Sequence, residues 1–424
     1  MITIGKIYTE KRQGKIRLIA EVKIPTEAMN AWVRNCPDSS MSSRYQREFA
    51  DANGNWRMWY EVDQKYEKML CAERADAFAV ACLYYAMVTG EDIQCKVPVT
   101  ERLLYQLNEY IVPSLCQPTN EYKRIHVMAE PVRQITPLAH YVGTGVSCGV
   151  DSFSSIVMNM KESVPQSYRL THLTLFNTGS MNFAGYSAKK NLEEWNRETD
   201  AEFEERVTHG KKVASELGLD FIAVNTNIAD LYQGCFLYSH TFRNCSVVLA
   251  LQKMWKAYYY ASAGEPIQTN AGLTRDNGEY DLLALPGISI DSLAFYSGCL
   301  PYQRMEKTAI IADNPVVQKY LNVCSFETKN CGKCEKCLRT ITALDLMGKL
   351  DSFQASFEDL SFYMANKSKL RAVIMESKPE NPFLYEQRQY MERNGIRLDG
   401  KALIYHYLLP MRKVWKWLRK FNRG

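Results

Sequence analysis

Hydrophobic and polar residues follow two different patterns along the chain. Up to about residue 135 the pattern is mixed, and it begins with a β-hairpin predicted from loose alternation in Ile2–Tyr8 and Lys15–Lys23. Further helices and strands follow, in the order helix Glu73–Met87, strand Ile93–Val99, helix Glu101–Ile111 and strand Arg124–Met128. The pattern therefore predicts an α+β N-terminal domain at residues 1–135, ending near Pro131 and Pro137.

From Leu138 the pattern changes to an alternation of short apolar runs and longer helical segments. The predicted strands are His140–Val146, Thr171–Asn177, Phe221–Asn225 and Ile267–Asn270, and the predicted helices are Ser152–Lys161, Ala188–Leu217 and Val247–Ala261. Short apolar strands separated by helices favour a parallel sheet covered on both faces. We therefore predict an α/β protein with a doubly wound parallel sheet at residues 136–320, a cysteine-rich segment at 321–350 and a helical region at 351–424.

Composition narrows the class of protein but not its activity. A chain of 424 residues, 46% hydrophobic and 23% charged, predicts an ordinary globular protein of two or three domains. The net charge of +5 does not by itself indicate nucleic acid, and we expect none as a partner. The first residues lack the apolar core of a signal peptide, and no apolar run reaches the ~20 residues of a membrane span. Thirteen cysteines then predict a cytoplasmic protein with free thiols.

Four of those cysteines lie in one short stretch with the spacing C-x6-C-x2-C-x2-C. They are Cys324, Cys331, Cys334 and Cys337. Four thiolates complete a tetrahedral Zn²⁺ shell and leave no position open for catalysis. Gly332 eases the tight turn between two of them. The spacing therefore predicts a structural zinc site, the alternative being cysteines that cluster by chance.

A second candidate site follows the strand predicted at His140–Val146. The loop Ser147-Cys148-Gly149-Val150-Asp151-Ser152 leads directly into a predicted helix. Backbone N–H groups at such a junction point at an anion, and the helix dipole favours negative charge there. The two serines add hydroxyl donors, and the aspartate can hold Mg²⁺ or position a loop amide. An ordinary helix cap, with Asp151 or Ser147 as the N-cap residue, is the alternative.

The loop resembles the Ser-Gly-Gly-x-Asp-Ser signature of the PP-loop ATP pyrophosphatases, which belong to the adenine nucleotide alpha hydrolase-like superfamily with its HUP-like fold. Together with the downstream cysteines it resembles the layout of 7-cyano-7-deazaguanine synthases of the queuosine pathway. The resemblance spans roughly residues 140–350. One departure is Cys148, which stands where that family has glycine and would hinder a backbone with positive φ. An active Cys148 nucleophile is a further alternative, although no histidine base lies nearby in sequence.

The resemblance implies roles for individual residues of this sequence. It implies catalytic roles for Ser147, Asp151, Ser152 and Lys307. The nucleotide would be bound by the loop residues Ser147, Cys148, Gly149, Val150, Asp151 and Ser152, with Phe176, Asn177, Arg243 and Asn244. ATP, Mg²⁺ and Zn²⁺ are the cofactors that follow from it. The Arg243-Asn244 pair resembles the family's Arg-Asn motif beside the substrate pocket.

The activity that the resemblance implies is the adenylation of a carboxylate on a deazapurine-like substrate by ATP. Ammonia or another amine would then attack to give an amide or a nitrile. The chain is longer than the plain synthases, with about 135 extra residues in front and about 75 behind. It looks like the long synthase-like proteins of polysaccharide loci or anti-phage defence systems. We therefore expect the N-terminal domain to bind a substrate or a protein partner, and a homodimer is a further expectation.

Two alternative functions, and the role of the C-terminal segment, are not decided by the sequence. The chain could be a non-catalytic nucleotide- or base-binding module of a defence or polysaccharide-locus complex, or an enzyme of tRNA thiolation. Against thiolation, the tight cysteine cluster favours structural zinc, and no basic RNA-binding tract is obvious in the sequence. The basic, aromatic C-terminal segment predicts a terminal helix packed on its own core, with peripheral contact to an anionic membrane as the alternative.

Overall fold

The computed structural model describes residues 1–35, 50–51, 53–117, 120–133, 135–180, 192–232, 235–262, 277–324 and 327–408. The chain divides into two compact units. Unit 1 contains Met1–Gly145 and Glu162–Leu300, and unit 2 contains Val146–Lys161 and the chain from Pro301 onwards. These limits differ from the boundaries that the sequence predicts at residues 135, 320 and 350.

Strands within the described residues lie in unit 1, where ten of them form one sheet. In chain order the strands are β1 (Ile2–Arg12), β2 (Lys15–Lys23), β3 (Asn55–Asp63), β4 (Ile93–Cys95), β5 (Val99–Thr100), β6 (Val127–Met128), β7 (Pro131–Val132), β8 (Tyr141–Gly145), β9 (His172–Phe176), β10 (Asp220–Thr226), β11 (Trp255–Tyr260) and β12 (Ala294–Ser297). The order in the large sheet is β12-β11-β8-β9-β10-β3-β2-β1-β4-β6, and β5 pairs separately with β7.

Five neighbouring strands, from β12 to β10, are parallel. Gly143 of β8 pairs with His172 of β9 on one side and with Tyr258 of β11 on the other. The chain adds β9 and β10 to one side of β8 and then returns to add β11 and β12 to the other side. The order of strands therefore reverses between β8 and β11. The mixed α/β fold with a large, mostly parallel sheet that the sequence predicts is confirmed.

The N-terminal strands extend this same sheet. Strand β3 pairs antiparallel with β10, with Glu61 opposite Asn225, and the predicted β1–β2 hairpin follows. Beyond the hairpin, β4 and β6 are parallel to β1. Strand β3 was missed in the sequence, although its buried residues alternate strictly: they are Trp56, Met58, Tyr60 and Val62. The N-terminal α+β segment therefore shares its sheet with the parallel strands.

Helices occupy most of the remaining described chain. In chain order they are α1 (Thr26–Asn35), α2 (Asp76–Thr89), α3 (Glu101–Gln106), α4 (Val112–Cys116), α5 (Val150–Asn159), α6 (Leu192–Leu217), α7 (Ile228–Tyr232), α8 (His240–Ala250), α9 (Asp281–Ile288), α10 (Arg304–Ile311), α11 (Pro315–Tyr320), α12 (Glu335–Leu346), α13 (Ser361–Met375), α14 (Pro382–Arg393) and α15 (Gly400–Leu408). A π-helical turn, Leu107–Ile111, joins α3 to α4, and 3₁₀ turns lie at Gln64–Met69, Gln166–Tyr168, Asn277–Tyr280 and Leu350–Phe353.

Each unit has its own core. In unit 1, α2 is buried from Asp76 to Val88 and packs against α8, as expected for a helix that is apolar all round. In unit 2, α10 packs against α5, α12 and α14. Leu346, Ile374 and Met391 form an apolar cluster there. None of the described helices is both long and apolar enough to cross a membrane.

One predicted helix is wrong in its second half. The sequence predicts a helix over Val247–Ala261, whereas α8 ends at Ala250 and Trp255–Tyr260 forms β11. The run Trp-Lys-Ala-Tyr-Tyr-Tyr is rich in aromatic residues, which favour a strand. The strand predicted at Ile267–Asn270 lies outside the described residues.

Cys235 departs from the expectation of free thiols because it is disulfide-bonded. The other cysteines in the described ranges form no disulfide.

Candidate functional site

The four cysteines predicted to bind zinc come together in unit 2. Their Sγ atoms all lie within 4.8 Å of one another. Cys334 is the N-cap residue of α12, and its Sγ accepts the backbone N–H of Cys337 at 3.5 Å. The Sγ of Cys331 accepts the N–H of Cys334 at 3.4 Å. Four sulfurs that each lie about 2.3 Å from one Zn²⁺ ion are separated from one another by distances similar to those found here. The cluster can therefore bind a metal ion such as zinc.

The backbone around the cluster is fixed by two residues other than the cysteines, Gly332 and Asn330. Gly332 has φ +69°, and a Cβ there would lie 2.4 Å from the carbonyl oxygen of Asp359. The Asn330 amide donates to the carbonyl oxygen of Leu321 at 2.7 Å, and its Oδ1 accepts the N–H of Val323 at 2.8 Å. The segment therefore depends on contacts with the rest of unit 2 as well as on its cysteines.

Because the sulfurs lie close together, the protonation of the cysteines depends on whether a cation is bound. A hydrogen bond with Cys324, and then one with Cys334, raises the pKa of the Cys337 thiol well above its ordinary value. A divalent cation reverses this preference because it favours the thiolate. Metal binding by these residues would therefore release protons.

The loop after β8 forms the predicted junction with a helix. Helix α5 begins at Val150, with Gly149 as its N-cap residue. The Ser147 hydroxyl donates to the Ser152 hydroxyl at 3.2 Å, and Ser152 donates to the Gly149 carbonyl oxygen at 3.2 Å. Two hydroxyls therefore lie beside the free N–H groups of the first turn of α5, which is the chemistry that an anion requires.

Cys148 has a backbone conformation that L residues rarely adopt. Its φ is +60°, and it is the one non-glycine residue of the described chain with positive φ. This conformation costs an L residue about 1–2 kcal/mol. The backbone is held by a hydrogen bond from the N–H of Asn322 to the Cys148 carbonyl oxygen, at 2.8 Å. Glycine, which the PP-loop ATP pyrophosphatases have at this position, would adopt this φ without strain.

Asp151 joins the loop to α10 by two ion pairs. Its Oδ2 is 2.8 Å from Nη2 of Arg304, and its Oδ1 is 3.1 Å from Nζ of Lys307, whose side chain is 3% exposed. Helix α10 begins after Gln303, whose N–H donates to the Glu306 carboxylate at 2.8 Å. The two basic residues lie three positions apart and so share one face of α10.

The charge of Asp151 is stabilised by these cations. Burial opposes its ionisation, but Arg304 and then Lys307 outweigh burial and hold the pKa of Asp151 below its ordinary value. The sequence predicted a carboxylate that binds Mg²⁺ or positions a loop amide. In the structure each carboxylate oxygen of Asp151 forms an ion pair with a basic residue of α10, Oδ2 with Arg304 and Oδ1 with Lys307.

Arg339 extends this basic group and was not found from the sequence. Its guanidinium carbon lies 3.8 Å from the ring centroid of Phe383, and that of Arg304 lies 5.5 Å from the same centroid. Burial, and then the charge of Arg304, lower the pKa of Arg339 to about 10, so it stays charged at neutral pH. The one feature of the sequence that could have pointed to Arg339 is its position two residues after Cys337.

Phe176 and Asn177, predicted to bind the nucleotide, lie at the carboxyl end of β9 in unit 1. Phe176 is buried and stacks on Tyr258, with the ring centroids 6.1 Å apart. The Asn177 amide donates to Oδ1 of Asn225 at 2.9 Å. Because Asn225 lies on β10, the asparagine pair joins two neighbouring strands at this end of the sheet.

Arg243 is fully buried in unit 1. Its Nε donates to Oγ of Ser239 at 2.8 Å, and its Nη1 donates to the carbonyl oxygen of Thr178 at 3.0 Å. The guanidinium carbon lies 4.3 Å from the ring centroid of Tyr232, and burial lowers the pKa of Arg243 to about 10. Gly179 has φ +98°, and a Cβ there would lie 2.8 Å from Nη1. Arg243 therefore fastens the segment after β9 to α8.

Asn244 belongs to a polar network that the sequence did not reveal. Its Oδ1 accepts the Thr178 hydroxyl at 2.8 Å, and its amide donates to the Tyr260 hydroxyl at 3.2 Å. The Tyr260 hydroxyl is also 2.6 Å from Nδ1 of His240. Burial, and then the charge of Asp281, keep the pKa of Tyr260 well above its ordinary value. The network joins the ends of β9 and β11, the strands on either side of β8.

The structure therefore assembles the predicted residues in two groups. The loop residues and Lys307 form one group in unit 2, and Phe176, Asn177, Arg243 and Asn244 belong to the other in unit 1. Comparisons of the chain with protein-family models, with curated proteins and with solved structures found no match.

Proposed function

We propose that the protein is a PP-loop ATP pyrophosphatase similar to 7-cyano-7-deazaguanine synthase, with a HUP-like nucleotide-binding fold. It would use ATP to adenylate a carboxylate, on a deazapurine-like substrate, and transfer the acyl group to ammonia or an amine. The observation that carries the proposal is the ion pair between Asp151 and Lys307, at 3.1 Å. It joins two positions to which the resemblance assigns catalysis, although 156 residues separate them in the chain.

The strand order supports a nucleotide site at this loop. In open α/β sheets, ligands bind at the carboxyl ends of the strands where the strand order reverses. Here the order reverses between β8 and β11, and the loop Val146–Gly149 follows β8 directly in the chain. The loop is therefore at the position in the chain where the doubly wound fold carries its phosphate-binding turn.

The basic and hydroxyl groups of unit 2 supply what departure of pyrophosphate requires. Negative charge develops on the leaving pyrophosphate, and fixed donors aimed at that charge lower the barrier. The N–H groups at the start of α5, the Ser147 and Ser152 hydroxyls and the Lys307 ammonium group would act in this way. Mg²⁺ would be held by phosphate oxygens and Asp151, and it supplies further charge neutralisation.

The reaction is balanced as two displacements. A carboxylate oxygen of the substrate attacks the α-phosphorus of ATP, which forms a C–O–P linkage and releases pyrophosphate. The nitrogen of ammonia or an amine then attacks the acyl carbon, which forms the C–N bond, releases AMP and loses a proton to solvent. Dehydration of the amide to a nitrile would need a second ATP. The first displacement is the step to which the residues of unit 2 are suited.

A second candidate is a nucleotide-binding module without turnover. The conformation of Cys148, a strained residue where glycine would be relaxed, favours it. The two ion pairs on Asp151 favour it too, because they compete with Mg²⁺ for the same oxygens. This candidate shares the binding site with the first and differs in the chemistry.

The test is release of AMP and pyrophosphate from Mg-ATP by the zinc-replete protein, with and without 7-carboxy-7-deazaguanine and ammonia. We expect release that depends on the deazapurine and falls by about 100-fold or more in Lys307→Gln. Lys329→Gln, an exposed surface lysine of the same unit, is the matched control. Binding of ATP without release of AMP, with this and other carboxylates, would leave the non-catalytic module as the better account.

A further inference from the structure

A cleft opens in the sheet of unit 1 where its parallel and antiparallel strands meet. Strands β10 and β3 pair at only two neighbouring positions, one of which joins Asn225 to Glu61. Strand β10 begins at Asp220 and β3 continues to Asp63, but these stretches do not pair with each other. A cavity of about 80 Å³ lies there, between β10, β3 and helix α6. The sheet therefore has an open cleft beside one of its interior strands.

The floor of the cleft is apolar. Phe221 and Ala223 of β10 line it, and both are partly exposed although β10 is an interior strand. From α6, Phe203 and Val207 line it too, and they pack with Leu175 in a small apolar cluster. Partly exposed apolar carbon in a concave site favours a ligand with an apolar group. The cavity is roughly half the size of the ~150 Å³ cavity that holds benzene, so it suits a short aliphatic group.

The wall formed by β2 and β3 carries two ion pairs. Nζ of Lys15 is 2.6 Å from Oδ1 of Asp63, and Nε of Arg17 is 2.6 Å from Oε2 of Glu61. In each pair the two opposite charges cancel. This wall is therefore polar but leaves no net charge for a ligand to neutralise.

Helix α6 contributes two charges that have no such partner. Glu204 and Lys211 line the cleft, and neither forms an ion pair within the described part of the chain. They share one face of α6 and lie about 10 Å apart along its axis. Both side chains are long enough to reach into the interval between them. One negative and one positive group beside an apolar floor match a ligand that carries both charges.

The side chain of Asn225 adds a hydrogen-bond donor to the cleft. Its Oδ1 accepts the Asn177 amide at 2.9 Å and the backbone N–H of Thr226 at 2.9 Å. Its Nδ2 carries two N–H groups and donates to none of the residues that the structure describes. Because Asn225 lines the cleft, this nitrogen is available to a carboxylate oxygen of a ligand.

We propose that this cleft binds a small zwitterion with an aliphatic group, of which an aliphatic α-amino acid is the simplest case. Lys211 and the Asn225 amide would bind the carboxylate, and Glu204 would bind the ammonium group. The aliphatic side chain would lie on Phe221 and Ala223. Charged hydrogen bonds at both ends of the ligand would fix its orientation. The proposal does not rest on the adenylation chemistry, because it uses the charges of α6 and the floor of β10.

The test is binding of valine, leucine, isoleucine and methionine to the full-length, zinc-replete protein, measured by titration calorimetry. We expect at least one of them to bind. Lys211→Gln and Glu204→Gln should each weaken that binding by about fivefold or more, as loss of a hydrogen bond to a charged group does. The matched controls are the adjacent exposed residues of α6, and Lys212→Gln and Glu205→Gln should stay within about twofold of the parent.

Two further comparisons test the assignment of the ligand. Analogues of the bound amino acid that lack its carboxylate or its ammonium group should bind about tenfold more weakly or worse. Ala223→Leu fills the floor of the cleft and should abolish binding, with zinc content and circular dichroism showing that the variant is folded. The charge variants lie on the exposed surface of α6, so they serve as the test if Ala223→Leu does not fold.

Three results would overturn the proposal. Absence of binding by all four amino acids would show that the cleft takes no such ligand. Losses in the control variants as large as those in Lys211→Gln and Glu204→Gln would show that the ligand lies elsewhere. Equal affinity for the amino acid and for either analogue would overturn the recognition of a zwitterion.

Discussion

At the scale of single residues, Cys148 combines a sequence departure with a backbone strain. The resemblance identified it as the one loop position where glycine is replaced, and the structure gives it φ +60°. The sequence could not show this angle, because φ depends on how the loop is held, here by the N–H of Asn322. The strain is therefore a property of the folded loop that only the structure reveals.

Substitution of Cys148 by glycine should relieve that strain. We expect Cys148→Gly to raise the free energy of unfolding by about 1 kcal/mol, the usual difference between glycine and a Cβ-bearing residue at positive φ. Cys148→Ala is the matched control, since it removes the sulfur and keeps the Cβ. Urea unfolding measures both. Equal stability of the two variants would show that the angle carries no strain. A large gain in ATP turnover in the glycine variant would also identify Cys148 as the cause of weakened activity.

Gly332 offers a test of the metal segment with a close control. A Cβ at Gly332 would meet the Asp359 carbonyl oxygen at 2.4 Å, whereas Gly348 has a similar φ of +67° and nothing within 4 Å. We expect Gly332→Ala to lower zinc affinity by about tenfold or more, as loss of support around metal ligands does, and Gly348→Ala to leave it within about twofold. Competition with a chromophoric chelator measures the affinity. Equal losses in the two variants would contradict the argument.

At the scale of elements, sequence patterns succeeded where one periodicity was clear. The hairpin β1–β2, the helix α2 and the parallel strands β8, β9 and β10 were predicted within a few residues. Strand β11 was predicted as the end of a helix, whereas its pairing with β8 and β12 decides the outcome. Strand β3 carried a clear alternation that was overlooked.

The junction of α5 with α10 predicts a pH dependence. The pKa of Asp151 is lowered in the folded protein, so its stabilisation is complete above the ordinary carboxyl pKa of about 4 and is lost as the pH falls through the lower, folded value. Asp151→Asn should lower the free energy of unfolding of unit 2 by about 1–3 kcal/mol at neutral pH, because two cations lose their partner. Its stability should then vary less than that of the wild type below about pH 4.

Hydrogen exchange of the α5 and α10 amides during urea unfolding measures this effect, since it follows unit 2 directly. Asp313→Asn is the control, because Asp313 forms an exposed pair with Lys349 and should change stability by less than about 0.5 kcal/mol. Parallel pH profiles for Asp151→Asn and the wild type would show that the ion pairs on α10 do not stabilise the fold.

At the scale of the whole molecule, the sequence predicted the mixed α/β class of fold and a cluster of four cysteines that can bind a metal ion, but not how the chain is divided. The cysteine spacing was sufficient to predict the cluster because C-x2-C gaps let neighbouring sulfurs turn onto one ion, a pattern typical of metal sites. The sharing of one sheet by the N-terminal and parallel strands depends on β3 pairing with β10, a contact between distant segments. The positions of Arg304 and Arg339 were missed for the same reason, since they depend on contacts with Asp151 and Phe383, which lie in distant segments of the chain.

Metal removal should affect the two units differently. Structural zinc contributes folding free energy directly, and the four cysteines that can bind a metal ion belong to unit 2. We expect one zinc ion per chain, and chelation to increase hydrogen exchange in α12 and in residues 327–334. The strands of unit 1 should keep their protection. Uniform loss of protection in both units would contradict this, and unchanged exchange in α12 would show that no metal supports it.

The most direct test of the proposed chemistry is the fate of the substrate's carboxylate oxygen. With an oxygen-18-labelled carboxylate on 7-carboxy-7-deazaguanine, attack on the α-phosphorus followed by amine attack on the acyl carbon transfers one labelled oxygen to AMP. Mass spectrometry of the nucleotide products should therefore find AMP that carries one heavy oxygen, with unlabelled pyrophosphate. Unlabelled AMP, or ADP as the product, would contradict adenylation of the carboxylate.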